Sequence, residues 1–129
     1  MAIRVVRLGT PRAAGERLRV GTVRRPPRGV PKSDFGKRDF YDVWLPTVAP
    51  SQETMDIAHG ATTPAHWASF FRRYRAEMKR PDAAHAIALL AAMSHATDFS
   101  LGCYCEVEAH CHRHALKELL RDAGAEIVD

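Results

Sequence analysis

Apolar positions in this chain alternate between two periods, and the changes of period mark its elements. Ile3-Arg4-Val5-Val6-Arg7-Leu8 is rich in β-branched residues and is closed by Gly9-Thr10-Pro11, which predicts a first strand. Leu18-Arg19-Val20-Gly21-Thr22-Val23 alternates with period two and predicts a second. Residues 24–39 then carry Pro26, Pro27, Gly29, Pro31 and Gly36, too many breakers for regular structure, so a long loop is expected there. Asp42-Val43-Trp44-Leu45-Pro46 is short, apolar and fits either element type.

Helical spacing begins after Pro50. Ser51 suits an N-cap, with Glu53 favourable in the first turn. Thr63-Pro64 is a stronger start signal, a capping hydroxyl followed by proline at the first helical position. From there Trp67, Phe70, Phe71, Tyr74 and Met78 form one stripe and Arg72, Arg73, Arg75 and Lys79 the other side, ending before Pro81. Asp82 is expected to cap the next helix, whose Ile87, Leu89, Leu90 and Met93 are mostly buried. Phe99 to Cys105 is apolar on both faces, as a central parallel strand requires. The last helix runs from about His112 to Ala123, Gly124 serves as its C′ residue, and residues 125–128 form a short terminal strand.

Strands alternating with helices in this order predict one three-layer α/β domain over residues 1–129, with a small, mostly parallel sheet flanked by helices. The composition, 46% apolar and 26% charged, is that of an ordinary globular protein. Met1 to Arg7 has no apolar leader, no run approaches membrane-spanning length, and three cysteines cannot all pair internally, so a cytoplasmic protein is the default expectation. The net charge of +4 and pI near 9.3 owe much to residues 17–38, where eight Lys or Arg face one acid, Asp34. Such a segment is a solvated loop or a surface for phosphates. No P-loop, zinc-finger spacing or RNP-type aromatic motif accompanies it.

Chemistry concentrates in one run, Cys103-Tyr104-Cys105-Glu106-Val107-Glu108-Ala109-His110-Cys111-His112-Arg113-His114, which holds all three cysteines at a strand-to-helix junction. In open α/β sheets that junction is where ligands bind. Cys111 lies at the helix N-terminus, where the macrodipole favours thiolate; it is expected to be the most easily ionised thiol, followed by Cys105, with Cys103 deeper in the core. Four readings fit the run: buried thiols with a purely structural role; an anion pocket with a reactive thiol; a metal site from Cys105, Cys111 and either His112 or His110; and a redox pair of Cys105 with Cys111. A zinc site would require sulfurs within about 4 Å of one another. The spacing C-x-C-x5-C-H matches no standard zinc motif, and three reduced cysteines without metal are the expectation. The C-x5-R loop of tyrosine phosphatases is absent, as are G-x-S-x-G and G-x-G-x-x-G.

Several ordered segments resemble one known family. Pro27-Arg28-Gly29-Val30-Pro31-Lys32 is similar to its PRG-[IV]-x-K turn, and Trp44-Leu45 followed by Ala49-Pro50-Ser51 to its W-x-x-x-[LI]-[AT]-P-S stretch. Phe70 to Met78 is similar to its F-R-x-x-Y-x-x-E-L helix, and the cysteine run to its C-x-E-x4-HCHR end. On these the chain resembles the YeaO-like family, domain of unknown function 488, over about residues 15–122. It departs from the family's DRLW before PRG, where it has Val23-Arg24-Arg25-Pro26. The resemblance implies an α/β domain with a shared site and supplies no established reaction or cofactor.

The leading functional expectation is a small-molecule or nucleotide-processing domain. Its anion pocket forms where the 24–39 loop folds onto the junction from Cys105 to Arg113. Arg28, in a turn stiffened by glycine and proline, and Arg113 would hold a phosphate; Cys105 or Cys111 would supply a nucleophile or a proton-transfer group, tuned by His112. The alternatives are a non-enzymatic module binding nucleic acid or protein through the basic loop and the Arg72–Arg75 face, or a Cys/His metal site. Tyr74 is expected in the core, Trp44 and Trp67 as packing anchors, and His59, His66, His85 and His95 at the surface or at caps.

Overall fold

β4, Phe99–Cys103, lies at the centre of the sheet because no other strand is buried at every position. The structure, a computed structural model, describes residues 1–128. The five strands are ordered β3-β2-β4-β1-β5, and all pair in parallel. β1 is Ile3–Arg7, β2 Leu18–Gly21, β3 Val43–Trp44 and β5 Ile127–Val128. Four helices connect them: α1 Gln52–His59, α2 Pro64–Glu77, α3 Pro81–Met93 and α4 His112–Asp122. This is the expected α/β domain. No helix among the described residues is long and apolar enough to cross a membrane.

Register explains how the two faces differ. Ile3 and Phe99, and Val20 and Leu101, are paired neighbours. Their side chains share a core with Tyr74 and Met78 of α2, Ile87 and Leu90 of α3, and Leu116 and Leu120 of α4. The opposite face carries Arg19, Gly21, Ser100 and Gly102, and loop covers it. A Cβ on Gly21 would come within 2.4 Å of the Tyr41 ring. A Cβ on Gly102 would come within 2.5 Å of Leu8 and 2.9 Å of the Val6 carbonyl. Two glycines side by side in register therefore let loop side chains press onto the backbone.

Arg19, fully buried, ties that loop layer down. Its guanidinium donates to both carboxylate oxygens of Glu16, at 2.9 and 3.1 Å, and to the carbonyls of Thr10 and Asp39. Asp39 has φ 60°, a left-handed backbone, and its carbonyl also accepts from Gly9 N. Arg12 forks onto the Asp42 carboxylate.

Caps follow the residues that predicted them: Ser51 accepts from Thr54 N, and Thr63 from His66 N ahead of Pro64. Gly124, with φ 92°, ends α4 as its C′ residue. The structure differs from expectation in several places, and Leu89 of α3, expected to be buried, is 61% exposed. α3 starts at Pro81 with Arg80 as N-cap, so Asp82 sits in the first turn and serves the macrodipole. Residues 42–46 supply only the two-residue edge strand β3. β4 stops at Cys103, two residues short of Cys105, because Arg113 and Arg7 draw the following carbonyls out of the ladder.

Candidate functional site

At the carboxyl end of β4 the chain bends through residues 104–110, makes a 3-10 turn over Glu108–His110, and enters α4 with Cys111 as its N-cap. This loop returns the third sulfur to the first two. Cys103 Sγ and Cys105 Sγ are 3.7 Å apart. Cys111 Sγ lies 3.8 Å from His112 Nδ1. The ligand atoms of Cys103, Cys111 and His112 all fall within 4.8 Å of one another, and all three residues are buried. Cys105 joins through the other two thiols and is the most accessible of the three.

His112 is oriented by its far nitrogen. Nε2 is 2.7 Å from the Thr22 carbonyl, which can only accept, so the proton resides on Nε2. The Nδ1 lone pair is thereby turned toward the sulfurs. Burial pushes the imidazole pKa down to about 4, so the ring is neutral at physiological pH. The Tyr74 ring lies 5.4 Å away, centroid to centroid, and its hydroxyl donates to the Val48 carbonyl at 2.7 Å.

The three thiols share their hydrogens, and this reverses the expected order of acidity. Contacts with Cys103 and Cys111, reinforced by the charge of Arg113, hold the Cys105 thiol well below its usual value. Cys111 moves the other way: its interactions with Cys103 and Cys105 and its burial, at 1% exposure, oppose a thiolate there. Cys103 is pushed up to about 11, chiefly by Cys105. Among the three thiols, the surroundings favour the thiolate form most at Cys105, the most accessible of them, despite the position of Cys111 at a helix N-terminus.

Arg113 and Arg28 sit in different settings, one buried and one exposed. Arg113 is 6% exposed, and its Nη1 donates to the carbonyls of Cys103 and Cys105, at 3.3 and 2.8 Å. It positions the cysteine loop from inside. Arg28 is exposed, in a turn where Gly29 has φ 74°, and makes no hydrogen bond to the junction. The 24–39 segment reaches the junction elsewhere: Tyr104 Oη donates to the Arg25 carbonyl at 3.0 Å. Parallel pairing of β2 with β4 brings these loops to one rim.

Other residues close the site from the helix side. Trp67 stacks on His110 with ring centroids 4.3 Å apart and planes 6° from parallel. Lys117 lies 3.5 Å from Glu108. Glu77 faces away from the thiols and accepts from Ser51 N and Thr54 Oγ1, so it caps α1. Trp44 is 43% exposed at the sheet edge, held by Nε1–H to the Val23 carbonyl, and is no packing anchor. Two members of the cluster lay outside the expected set of site residues. Cys103 is a ligand-distance neighbour, legible from its alternation with Cys105; the Thr22 carbonyl has no side-chain signal at all.

No curated protein and no solved structure is significantly similar to this chain. Residues 3–124 match the family model described as the active DUF488-N3 subclade, and with nearly the whole domain matched, the chain belongs to that DUF488 family.

Proposed function

We propose that Cys103, Cys105, Cys111 and His112 form a metal centre for a soft divalent ion, zinc by the chemistry of its donors. The observation that carries this is the convergence of Cys103 Sγ, Cys111 Sγ and His112 Nδ1 within 4.8 Å. Zn–S bonds of about 2.3 Å in a tetrahedron put sulfurs about 3.8 Å apart. The 3.7 Å between Cys103 and Cys105 matches that separation. Metal-bound histidines donate their other N–H to a carbonyl or carboxylate, and His112 already does so to Thr22. Cys105, on the accessible side, is the exchangeable fourth donor. The expectation of metal-free cysteines rests on a solvated Cys105–Cys111 loop and on the apolar packing of the last helix; the convergence of Cys103, Cys111 and His112 supports the metal reading beside it.

A second reading has its own observation. Metal-free, Cys105 is an accessible thiol whose ionisation is favoured by two neighbouring thiols and Arg113, as a nucleophile requires. Cys105 then works with Cys111 and His112 as the catalytic set and Arg113 as the positioning residue. The subclade's description as active agrees with either centre.

One experiment separates them. Protein purified under reducing conditions is titrated with zinc and then with cobalt(II), whose absorption reports thiolate ligation, and the metal-free form is alkylated with iodoacetamide. The metal centre predicts one equivalent of zinc, a thiolate–cobalt band, loss of both in Cys103→Ser, Cys111→Ser and His112→Gln, and weaker retention in Cys105→Ser. No metal uptake with rapid alkylation confined to Cys105 supports the nucleophile instead. No metal uptake and ordinary thiol rates would refute both.

A further inference from the structure

A second site lies on the helix side of the same rim. We infer that the cleft between Arg24, Arg73 and Arg80 binds the phosphate group of a small organic phosphate ester. The cleft holds about 470 Å³ and is walled by Arg24 beyond the end of β2, by the start of α1, and by the Arg73, Ala76, Glu77 and Arg80 stripe of α2 and its C-terminal turn. That volume is within the ordinary range of small-molecule sites, roughly 300–1,000 Å³.

The charges in the cleft are unevenly matched. Arg73 pairs with Glu53 at 3.2 Å. The Glu77 carboxylate is committed to Ser51 N and Thr54 Oγ1, both at 3.0 Å, and titrates below the usual carboxylate range: burial opposes its charge, and those bonds together with Arg80 outweigh burial. The guanidiniums of Arg24 and Arg80 make no hydrogen bond and no ion pair within 4.0 Å among the described residues, although the Arg80 backbone N–H donates to the Glu77 carbonyl. Two guanidiniums thus line one cavity without a direct ion pair, Arg80 acting on the committed Glu77 carboxylate only through space. Planar guanidinium forks match phosphate oxygens better than any other side chain does.

An adjoining recess of about 200 Å³ shares Arg24, Ser51, Glu77 and Arg80 with the cleft and continues past Thr47 and Asp82 to Pro46, Ala49, Met78 and Ala83. Its mixed lining, with Thr47 and the Asp82 carboxylate beside Pro46, Ala49 and Met78, suits the hydroxyl-bearing organic part of a ligand, which favours an ester over free phosphate. Arg24 is two residues from Thr22, whose carbonyl orients His112. The binding needs nothing from the Cys/His cluster.

The same phosphate chemistry could come from a nucleic-acid backbone, and the test distinguishes the two. Full-length protein is titrated calorimetrically with adenosine monophosphate, ribose 5-phosphate, pyrophosphate and a single-stranded oligonucleotide, at low and moderate salt. Arg24→Gln, Arg80→Gln and the neighbouring Lys79→Gln are compared. The expected result is saturable binding of a monophosphate ester, weakened at least about tenfold in Arg24→Gln and Arg80→Gln and unchanged in Lys79→Gln. Circular dichroism of each variant verifies its fold. Preferential binding of the oligonucleotide, steeply salt-dependent and weakened equally by all three substitutions, would overturn the inference in favour of a nucleic-acid face. So would the absence of any phosphate-ester binding.

Discussion

Arg19 is the residue whose burial costs most and which is best compensated. A guanidinium at zero exposure is stable only when its donors are largely met, and Glu16, Thr10 and Asp39 take four of its five N–H groups. Glu16, with a side chain 1% exposed, has no other counter-charge so close. Glu16→Gln leaves the arginine charge buried and uncompensated, and a loss of about 3–5 kcal/mol is expected in urea unfolding at neutral pH. The pH dependence has a fixed sign. Burial opposes ionisation of Glu16, yet its hydrogen bonds to Arg19 and the Ala13 amide win, so its folded pKa lies below the model-peptide value of 4.5. The unfolded chain then binds more protons below that value. The pair's stability is fully present above about pH 5 and is lost as pH falls through the folded pKa. In Glu16→Gln that part of the acid transition should vanish; an unchanged acid limb would mean the pair contributes nothing.

Among elements, the contact of β2 with β4 is the tightest constraint on the sheet. Gly21 and Gly102 are register partners, and both are crowded by loop side chains on the face away from the helices. At Gly102 one obstacle is the Val6 carbonyl, which cannot rotate aside. Gly102→Ala should therefore destabilise by about 1–3 kcal/mol, a typical overpacking cost, measured as a lower midpoint of thermal unfolding. Unchanged stability would show that β1 yields more readily than its packing implies. α2 is tied to the 46–51 segment by Tyr74 Oη on Val48 O and by the Glu77 carboxylate on Ser51 and Thr54. These are the tyrosine and glutamate of the F-R-x-x-Y-x-x-E-L resemblance and the serine of the A-P-S one, so two separated motifs are a single joint.

At the scale of the whole molecule, the cysteine cluster is closed by contacts that cross from helix to loop. The Trp67–His110 stack fastens the 3-10 turn before Cys111 to α2. Trp67→Ala should leave the sheet and its far-ultraviolet circular dichroism intact while loosening that turn. The measurable outcome is faster alkylation of Cys105 and Cys111 in the metal-free protein; unchanged rates would mean that Arg113, holding the carbonyls of Cys103 and Cys105, fixes the loop alone. The two sites on the rim have different physics. Soft donors excluded from water form one, and half-solvated guanidiniums around a cavity form the other.

Much of this was legible in the residues because it depends on local chemistry. Period-two and helical spacing, the Ser51 and Thr63 caps, Pro64 and Gly124 specified the elements and their order, since each acts within one or two turns of chain. The doubly apolar Phe99 to Cys103 run required the centre of a parallel sheet for the same reason. The clustering of all chemistry between Cys103 and Arg113 was equally plain. What the tertiary structure alone decided is which of these residues face one another. Arg113 turns inward because carbonyls freed at the end of β4 need donors, and Arg28 is exposed next to the buried Pro27. Cys111 loses its advantage at the helix N-terminus because two other thiols and burial surround it. Arg24, Arg73 and Arg80 come from segments up to 56 positions apart and share a cleft only once α2 packs beside the end of β2. Such juxtapositions depend on packing between distant segments, and no local pattern encodes them.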